Sequence, residues 1–290
     1  MPFFRDGDIS IQYRNEGYGV PVICVHPPCT SSRLFTYVKT ELYDKRRIVT
    51  FDVRGHGHSE AGESKLTIPL IAEDMRRLLD ECGIRTAYVC SYGAGSLAAL
   101  LALKSYPDRF RGGILISGAP GYHDLISRTK LKAAHLASRF NAKRAIALQS
   151  AWSEADNRPA FQGMMDDAMQ GDVKRWQEYI DACLRVSLER ELHGIRQPML
   201  LIYGTSDHVG SHYASAMYRM LPNVEMYGIQ GAERKLLMKE PGKTALIMRQ
   251  WIDKLENGAL ADTFEERDAL MQELAQHGIT GGVDGENWAP

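Results

Sequence analysis

Short apolar runs alternate along the chain with longer amphipathic stretches. The runs have the length and the β-branched content of buried strands. They are Ile9–Arg14, Val22–His26, Arg47–Val53, Ala87–Ser91, Gly113–Ser117, Met199–Tyr203 and Val224–Ile229. The apolar residues that follow Thr67 have helical spacing and fall on one face, which predicts a helix with Thr67 as its N-cap. Further helices are predicted at Gly93–Ser105 and Thr244–Leu255. This alternation predicts an α/β fold with a mostly parallel sheet flanked by helices.

The alternation stops between residues 122 and 196, where no strand is predicted. The pattern there favours three helices, at Thr129–Ala151, Ala160–Gln170 and Val173–Leu192. We therefore expect a core formed by residues 1–121 and 197–257, with residues 122–196 inserted as a helical cap.

Beyond Asn257 the chain becomes acidic, and Arg267 is the single lysine or arginine there. Thr263 followed by Glu266 has the spacing of a capping box. It would begin one short helix, whose apolar residues are Phe264, Leu270, Met271 and Leu274. So short a helix is stable only if its apolar side docks, either on its own core or on a second subunit in a homodimer. The Gly-rich end from Gly278 is expected to be loose, which makes residues 258–290 an acidic extension.

Composition limits the partners of the protein. With 44% hydrophobic and 24% charged residues, the chain is an ordinary globular protein, and a net charge of -1 gives no field toward nucleic acid or anionic lipid. The longest apolar run, Leu97–Leu103, is too short to span a bilayer, and we expect a cytoplasmic protein with free thiols. No phosphate loop, dinucleotide fingerprint or metal-ligand spacing is present, so neither a cofactor nor a metal is predicted.

Several segments in fixed order carry a resemblance to a known family. They are Val25-His26, Phe51-Asp52-Val53-Arg54-Gly55-His56-Gly57-His58-Ser59, Val89-Cys90-Ser91-Tyr92-Gly93-Ala94-Gly95-Ser96, Tyr106-Pro107-Asp108-Arg109, Ile114-Leu115-Ile116-Ser117-Gly118, Pro198 to Asp207 and Gly231 to Pro241. Over residues 5 to 256 the chain resembles the α/β-hydrolase superfamily, in particular its capped esterases, lactonases and C–C-bond hydrolases. The resemblance implies a serine nucleophile on a G-x-S-x-G elbow, followed in the chain by an aspartate and a histidine.

Two of these three positions depart from the family pattern. The elbow has Gly93 at the nucleophile position, and the distance from Gly93 to Tyr106-Pro107 matches the family spacing; a shift of one residue would place Tyr92 there instead. Asp207 keeps the acid position, but Arg234 stands at the histidine position. The first loop, His26-Pro27-Pro28-Cys29, places proline where the family uses a backbone N–H for the oxyanion.

These departures predict a degenerate triad and a non-hydrolytic pseudoenzyme that binds a small molecule under the cap. Two replaced positions favour natural divergence over a laboratory change. The residues predicted to line the ligand pocket are His26, Pro28, Cys29, Tyr92 and Ala94. Arg234 either helps to bind an anion, together with free N–H groups after Gly93, or pairs with Asp207 and closes the site.

Under two alternative hypotheses the protein is an enzyme. One is serine-independent chemistry of the same fold, as in lyases, cyclases or cofactor-free oxygenases. The other is a rewired hydrolase with Cys29 or Ser96 as nucleophile and His26 or His208 as base.

Overall fold

One sheet organises the protein. The computed structural model describes residues 2–6, 9–257 and 272–282. Across these residues the strands lie in the order β1-β2-β4-β3-β5-β6-β7-β8-β9. Their bounds are β1 Phe3–Asp6, β2 Ile9–Glu16, β3 Val20–Val25, β4 Arg46–Phe51, β5 Ala87–Tyr92, β6 Phe110–Ile116, β7 Met199–Gly204, β8 Val224–Ile229 and β9 Ile279–Gly282.

Neighbouring strands from β4 to β8 run parallel, and antiparallel strands occupy both edges. Every residue of β5 and β7 is buried. Burial on both faces explains why these strands are continuous apolar runs instead of alternating ones. The predicted mostly parallel sheet flanked by helices is confirmed.

The helices are α1 Thr36–Leu42, α2 Ile68–Glu81, α3 Ser96–Ser105, α4 Leu125–Arg139, α5 Lys143–Glu154, α6 Arg158–Gln170, α7 Val173–Arg185, α8 His208–Met220, α9 Leu236–Lys239 and α10 Pro241–Glu256. The predicted N-cap of α2 is confirmed, because the Thr67 side chain accepts a hydrogen bond from the Leu70 N–H. Among the helices of the described residues, none combines the length and apolar content needed to cross a bilayer.

Helices α4 to α7 follow β6 and precede β7, and we call residues 125–185 the helical insertion. The single helix expected over residues 129–151 is wrong: α4 ends at Arg139 and α5 begins at Lys143. Asn141 lies between them with φ +53°, a left-handed conformation that ends a helix and that asparagine tolerates. Likewise α7 ends at Arg185, and a 3-10 helix, Glu189–Gly194, follows it.

The C-terminal region docks on the core where it is described. Strand β9 pairs with β8, and Leu274 and Ile279 are both buried at 2% exposure. The loose end expected from Gly278 is therefore wrong for residues 278–282, because β9 covers an edge strand that would otherwise expose its hydrogen-bonding groups. The remaining residues of the predicted short helix, Thr263, Phe264, Glu266, Leu270 and Met271, lie outside the described residues.

Candidate functional site

The turn after β5 has the geometry of a strand-to-helix elbow. Tyr92 ends the strand in an extended conformation, with φ −122° and ψ 134°. Gly93 then turns left-handed at φ +52°, and a 3-10 turn over Gly93–Gly95 leads into α3. A side chain at this φ is strained, whereas glycine has no Cβ and adopts it freely. Gly93, and not Tyr92, thus has the backbone conformation of the turn.

Arg234 occupies the space in which a side chain at position 93 would lie. A Cβ atom placed on Gly93 would be 2.7 Å from Nη2 of Arg234, and the next side chain, Pro27, would be 3.9 Å away. The guanidinium carbon lies 5.9 Å from the centre of the Tyr92 ring, in cation–π range. A side chain at position 93 and the guanidinium of Arg234 therefore compete for the same space.

Arg234 and Asp207 do not pair. No described carboxylate oxygen lies within 4.0 Å of the Arg234 guanidinium, so the ion pair that would close the site is absent from the described part of the chain. Oδ1 of Asp207 instead accepts the Gly210 N–H at 3.0 Å and caps α8. Desolvation opposes the charge of Arg234, but the nearby oxygens of Tyr92 and Glu154 outweigh it and raise the pKa of the guanidinium.

The hydroxyl of Tyr92 is held by hydrogen bonds to the helical insertion and to the backbone of Arg234. Its side chain is buried, and its hydroxyl donates to Oε2 of Glu154 at 2.7 Å and lies 3.1 Å from the Arg234 carbonyl. Burial raises the pKa of Glu154 and, together with that carboxylate, the pKa of Tyr92. Glu154 ends α5 of the helical insertion, so this contact joins the elbow to the insertion. No sequence motif indicates Glu154, which lies far from Tyr92 in the chain.

His26 is a structural residue in this fold. It is fully buried, its Nε2 accepts the Val53 N–H at 2.9 Å, and its Nδ1 lies 2.8 Å from the Pro27 carbonyl. Burial also lowers the pKa of His26. With both ring nitrogens bound to backbone, His26 has no nitrogen left to act as a general base.

The other candidates for an alternative nucleophile and base are Ser96, Cys29 and His208. Each is hydrogen-bonded to backbone, buried, or not hydrogen-bonded to a partner candidate. The Ser96 hydroxyl donates to the Ala119 carbonyl at 2.6 Å and accepts the Ala119 N–H at 3.0 Å. Cys29 is buried at φ +63°, and burial raises the pKa of its thiol, which disfavours the reactive thiolate. His208 begins α8 and is exposed. Within the described residues, no hydrogen bond joins either nucleophile candidate to either base candidate.

A cavity of about 230 Å³ is lined in part by Arg234, and we call it the Arg234 cavity. Its lining residues are Ser117, Ala119, Tyr122, Ile126, Ser127, Lys130, Ser206, Asp207, Val209, Gly210, Tyr213, Glu233 and Arg234. They come from the end of β6, from α4 of the insertion and from the start of α8. The cavity thus lies between the sheet and the helical insertion.

The five residues predicted to bind a ligand do not line the Arg234 cavity; they are His26, Pro28, Cys29, Tyr92 and Ala94. Cys29 instead borders a gap of about 10 Å³, too small for a ligand. Ala94 is buried in the core, and Pro28 is half-buried. The sequence pointed to the loop before the elbow, because the family resemblance lies there, but that loop does not line the Arg234 cavity.

A separate cavity of about 120 Å³ borders Arg33, Asp52, His58 and Asp167. Arg33 and Asp167 pair across it at 2.8 Å, which satisfies its strongest charges internally. No group of three or more metal-binding side chains occurs in the part of the chain that the structure describes.

The fold agrees with comparisons to known proteins. The family model for the alpha/beta hydrolase fold matches residues 20–241. The chain belongs to the α/β-hydrolase fold family.

Relatives in this family include active enzymes. The chain is 23% identical over 264 residues to the 2-(acetamidomethylene)succinate hydrolase of Mesorhizobium japonicum, covering 85% of this chain and 93% of that protein. It is 21% identical over 251 residues to the protein PHYLLO of Arabidopsis thaliana, where the match takes in 77% of this chain but spans only 15% of the relative. An esterase from Exiguobacterium antarcticum has the same fold, with a TM-score of 0.78 at 16% identity over 87% of this chain and 99% of the esterase.

Proposed function

We propose that this protein binds a small molecule and does not hydrolyse it by the serine mechanism of its family. One observation carries the proposal: the left-handed turn of the elbow is occupied by Gly93, and the guanidinium of Arg234 fills the space beside it. The triad positions would be Gly93 for the nucleophile, Asp207 for the acid and Arg234 for the histidine.

Each step of serine hydrolysis lacks its group under this assignment. The mechanism needs a hydroxyl, and an imidazole that removes its proton while a carboxylate orients the ring. Gly93 has no hydroxyl, and a guanidinium stays protonated and has no acceptor atom. Pro28 has no N–H with which to stabilise an oxyanion. Triad residues act as a unit, and removing one costs about 10⁶-fold in a serine protease, so Asp207 alone supplies no useful catalysis.

The architecture suits a binding protein. We propose a core of residues 1–121 and 197–257, a helical cap of residues 122–196 and a C-terminal extension of residues 258–290. The Arg234 cavity supports this division, because its walls come both from the ends of sheet strands and from α4 of the insertion. A ligand there would contact both parts, as small-molecule sites at such junctions usually do.

The test is hydrolysis of p-nitrophenyl acetate and p-nitrophenyl butyrate by the full-length protein, with Gly93→Ala, Cys29→Ala and Ser96→Ala purified in parallel. We expect all four proteins to show the same background rate, since none of the changed atoms takes part in hydrolysis. Turnover by the wild type that disappears in Cys29→Ala or Ser96→Ala would overturn the proposal and establish a rewired nucleophile.

A further inference from the structure

We infer that the Arg234 cavity binds a small organic carboxylate, held by the guanidinium of Arg234 and the ammonium of Lys130. The inference rests on the proposed function, because it takes the cavity to be a site of binding. Its evidence is the distribution of charge in the cavity, where neither cation has a carboxylate within ion-pair distance in the described part of the chain.

Arg234 is a cation without an ion-pair partner among the described residues. Among the described residues, no carboxylate oxygen lies within 4.0 Å of its guanidinium, which interacts with the ring and the hydroxyl of Tyr92, and the residue keeps an exposed surface. A guanidinium has five N–H donors in a planar fork that matches a carboxylate in bidentate geometry. A charged group partly removed from water is costly unless it is paired. A carboxylate in the cavity would provide that pairing.

The backbone of Arg234 is held in place before any ligand arrives. Its carbonyl oxygen lies 3.1 Å from the Tyr92 hydroxyl and accepts a weak hydrogen bond from Ser117 at 3.4 Å. The Tyr92 ring faces the guanidinium from one side. A cation fixed in this way loses little further freedom on binding, which favours affinity.

Lys130 adds a second cation from α4. It lines the same cavity and has no hydrogen-bond acceptor or ion-pair partner among the residues that the structure covers. The two acidic side chains of the lining, Asp207 and Glu233, do have contacts. Asp207 is bound to the Gly210 N–H, and Glu233 has a side chain that is 69% exposed and lies 3.9 Å from Lys239. In the lining itself, the two charges without an ion pair to another described residue are therefore positive, and the buried Glu154 carboxylate attracts both from outside the lining.

The remaining wall sets the size and polarity of the rest of the ligand. Ala119, Ile126 and Val209 give the lining an apolar part. A volume of about 230 Å³ equals the share of roughly eight water molecules in the liquid. This favours a short aliphatic or single-ring carboxylate over a long-chain acid or a nucleotide.

The test is isothermal titration of the full-length protein at constant ionic strength with butanoate and benzoate, each compared with its neutral amide. We expect carboxylates to bind about ten- to a hundredfold more tightly than the amides, the range for hydrogen bonds to charged groups. Arg234→Gln should remove this preference, and Lys130→Gln should weaken it severalfold. Arg185→Gln is the matched control, because its side chain is 74% exposed and pairs with Asp181 on α7.

Equal binding of acids and amides, no binding of any probe, or an undiminished preference in both Arg234→Gln and Lys130→Gln would overturn the inference. Lys130 is exposed, so its substitution leaves a folded variant even if Arg234→Gln does not fold. Failure of the proposed function has a different signature: the ester assay would show turnover, whatever the carboxylates do.

Discussion

Adding one methyl group at Gly93 tests whether Arg234 occupies the space of the missing side chain. Gly83→Ala is the matched control, because Gly83 has φ +62° and nothing within 4 Å of an added Cβ, whereas Gly93 has φ +52° and Nη2 of Arg234 at 2.7 Å. Both variants carry the left-handed strain of about 1–2 kcal/mol. Only Gly93→Ala must also displace the guanidinium, which costs about 0.5–1.5 kcal/mol for a side chain moved off its rotamer.

These values translate into melting temperatures. One kcal/mol moves Tm by about 2–4 °C in a domain of 150–250 residues, so Gly93→Ala should melt about 1–6 °C below Gly83→Ala. Calorimetry on a double-mutant cycle with Arg234→Ala isolates the contact, and the difference between the two glycine variants should disappear in the Arg234→Ala background. Equal melting of both glycine variants, or a difference that persists without the arginine, would refute the steric link.

Two further outcomes follow from buried groups. Because burial raises the pKa of Glu154, folding favours its protonated form; that contribution is complete below the ordinary value of 4.5 and is lost as the pH rises through the raised pKa. Denaturant titrations should therefore show wild-type stability falling relative to Glu154→Gln as the pH rises above 4.5, and parallel pH profiles would contradict this. Truncation after Asn257 should lower Tm, because burying Leu274 and Ile279 contributes about 1.5–3 kcal/mol each, and an unchanged Tm would show that the docking adds no stability.

The sequence was informative where chemistry is local. The spacing from Gly93 to Tyr106-Pro107 located the elbow, because the length of one helix fixes that distance. The cap of α2 followed from Thr67 for the same reason. The break at Asn141 also had a local signal, since asparagine tolerates a left-handed φ, but the apolar spacing continued across it.

Contacts between distant segments could not be predicted in this way. Glu154 meets Tyr92 through tertiary packing, and neither neighbourhood contains a motif for the other. Of the two alternatives for Arg234, the ion pair with Asp207 is not found among the described residues; Asp207 instead caps α8, a helix that the apolar pattern did not indicate. Lys130 reaches the cavity only because the insertion folds over the strand ends. Such residues are found from the cavity and not from the sequence.

The central claim is that two side chains, and not the fold, remove serine hydrolysis. The direct measurement is p-nitrophenyl butyrate turnover by Gly93→Ser/Arg234→His beside both single variants and the wild type. We predict weak turnover in the double variant alone, about 10²–10³-fold below a complete site, because Pro28 leaves one oxyanion donor missing. Turnover by Gly93→Ser alone that equals the double variant, or turnover already present in the wild type, would contradict the account.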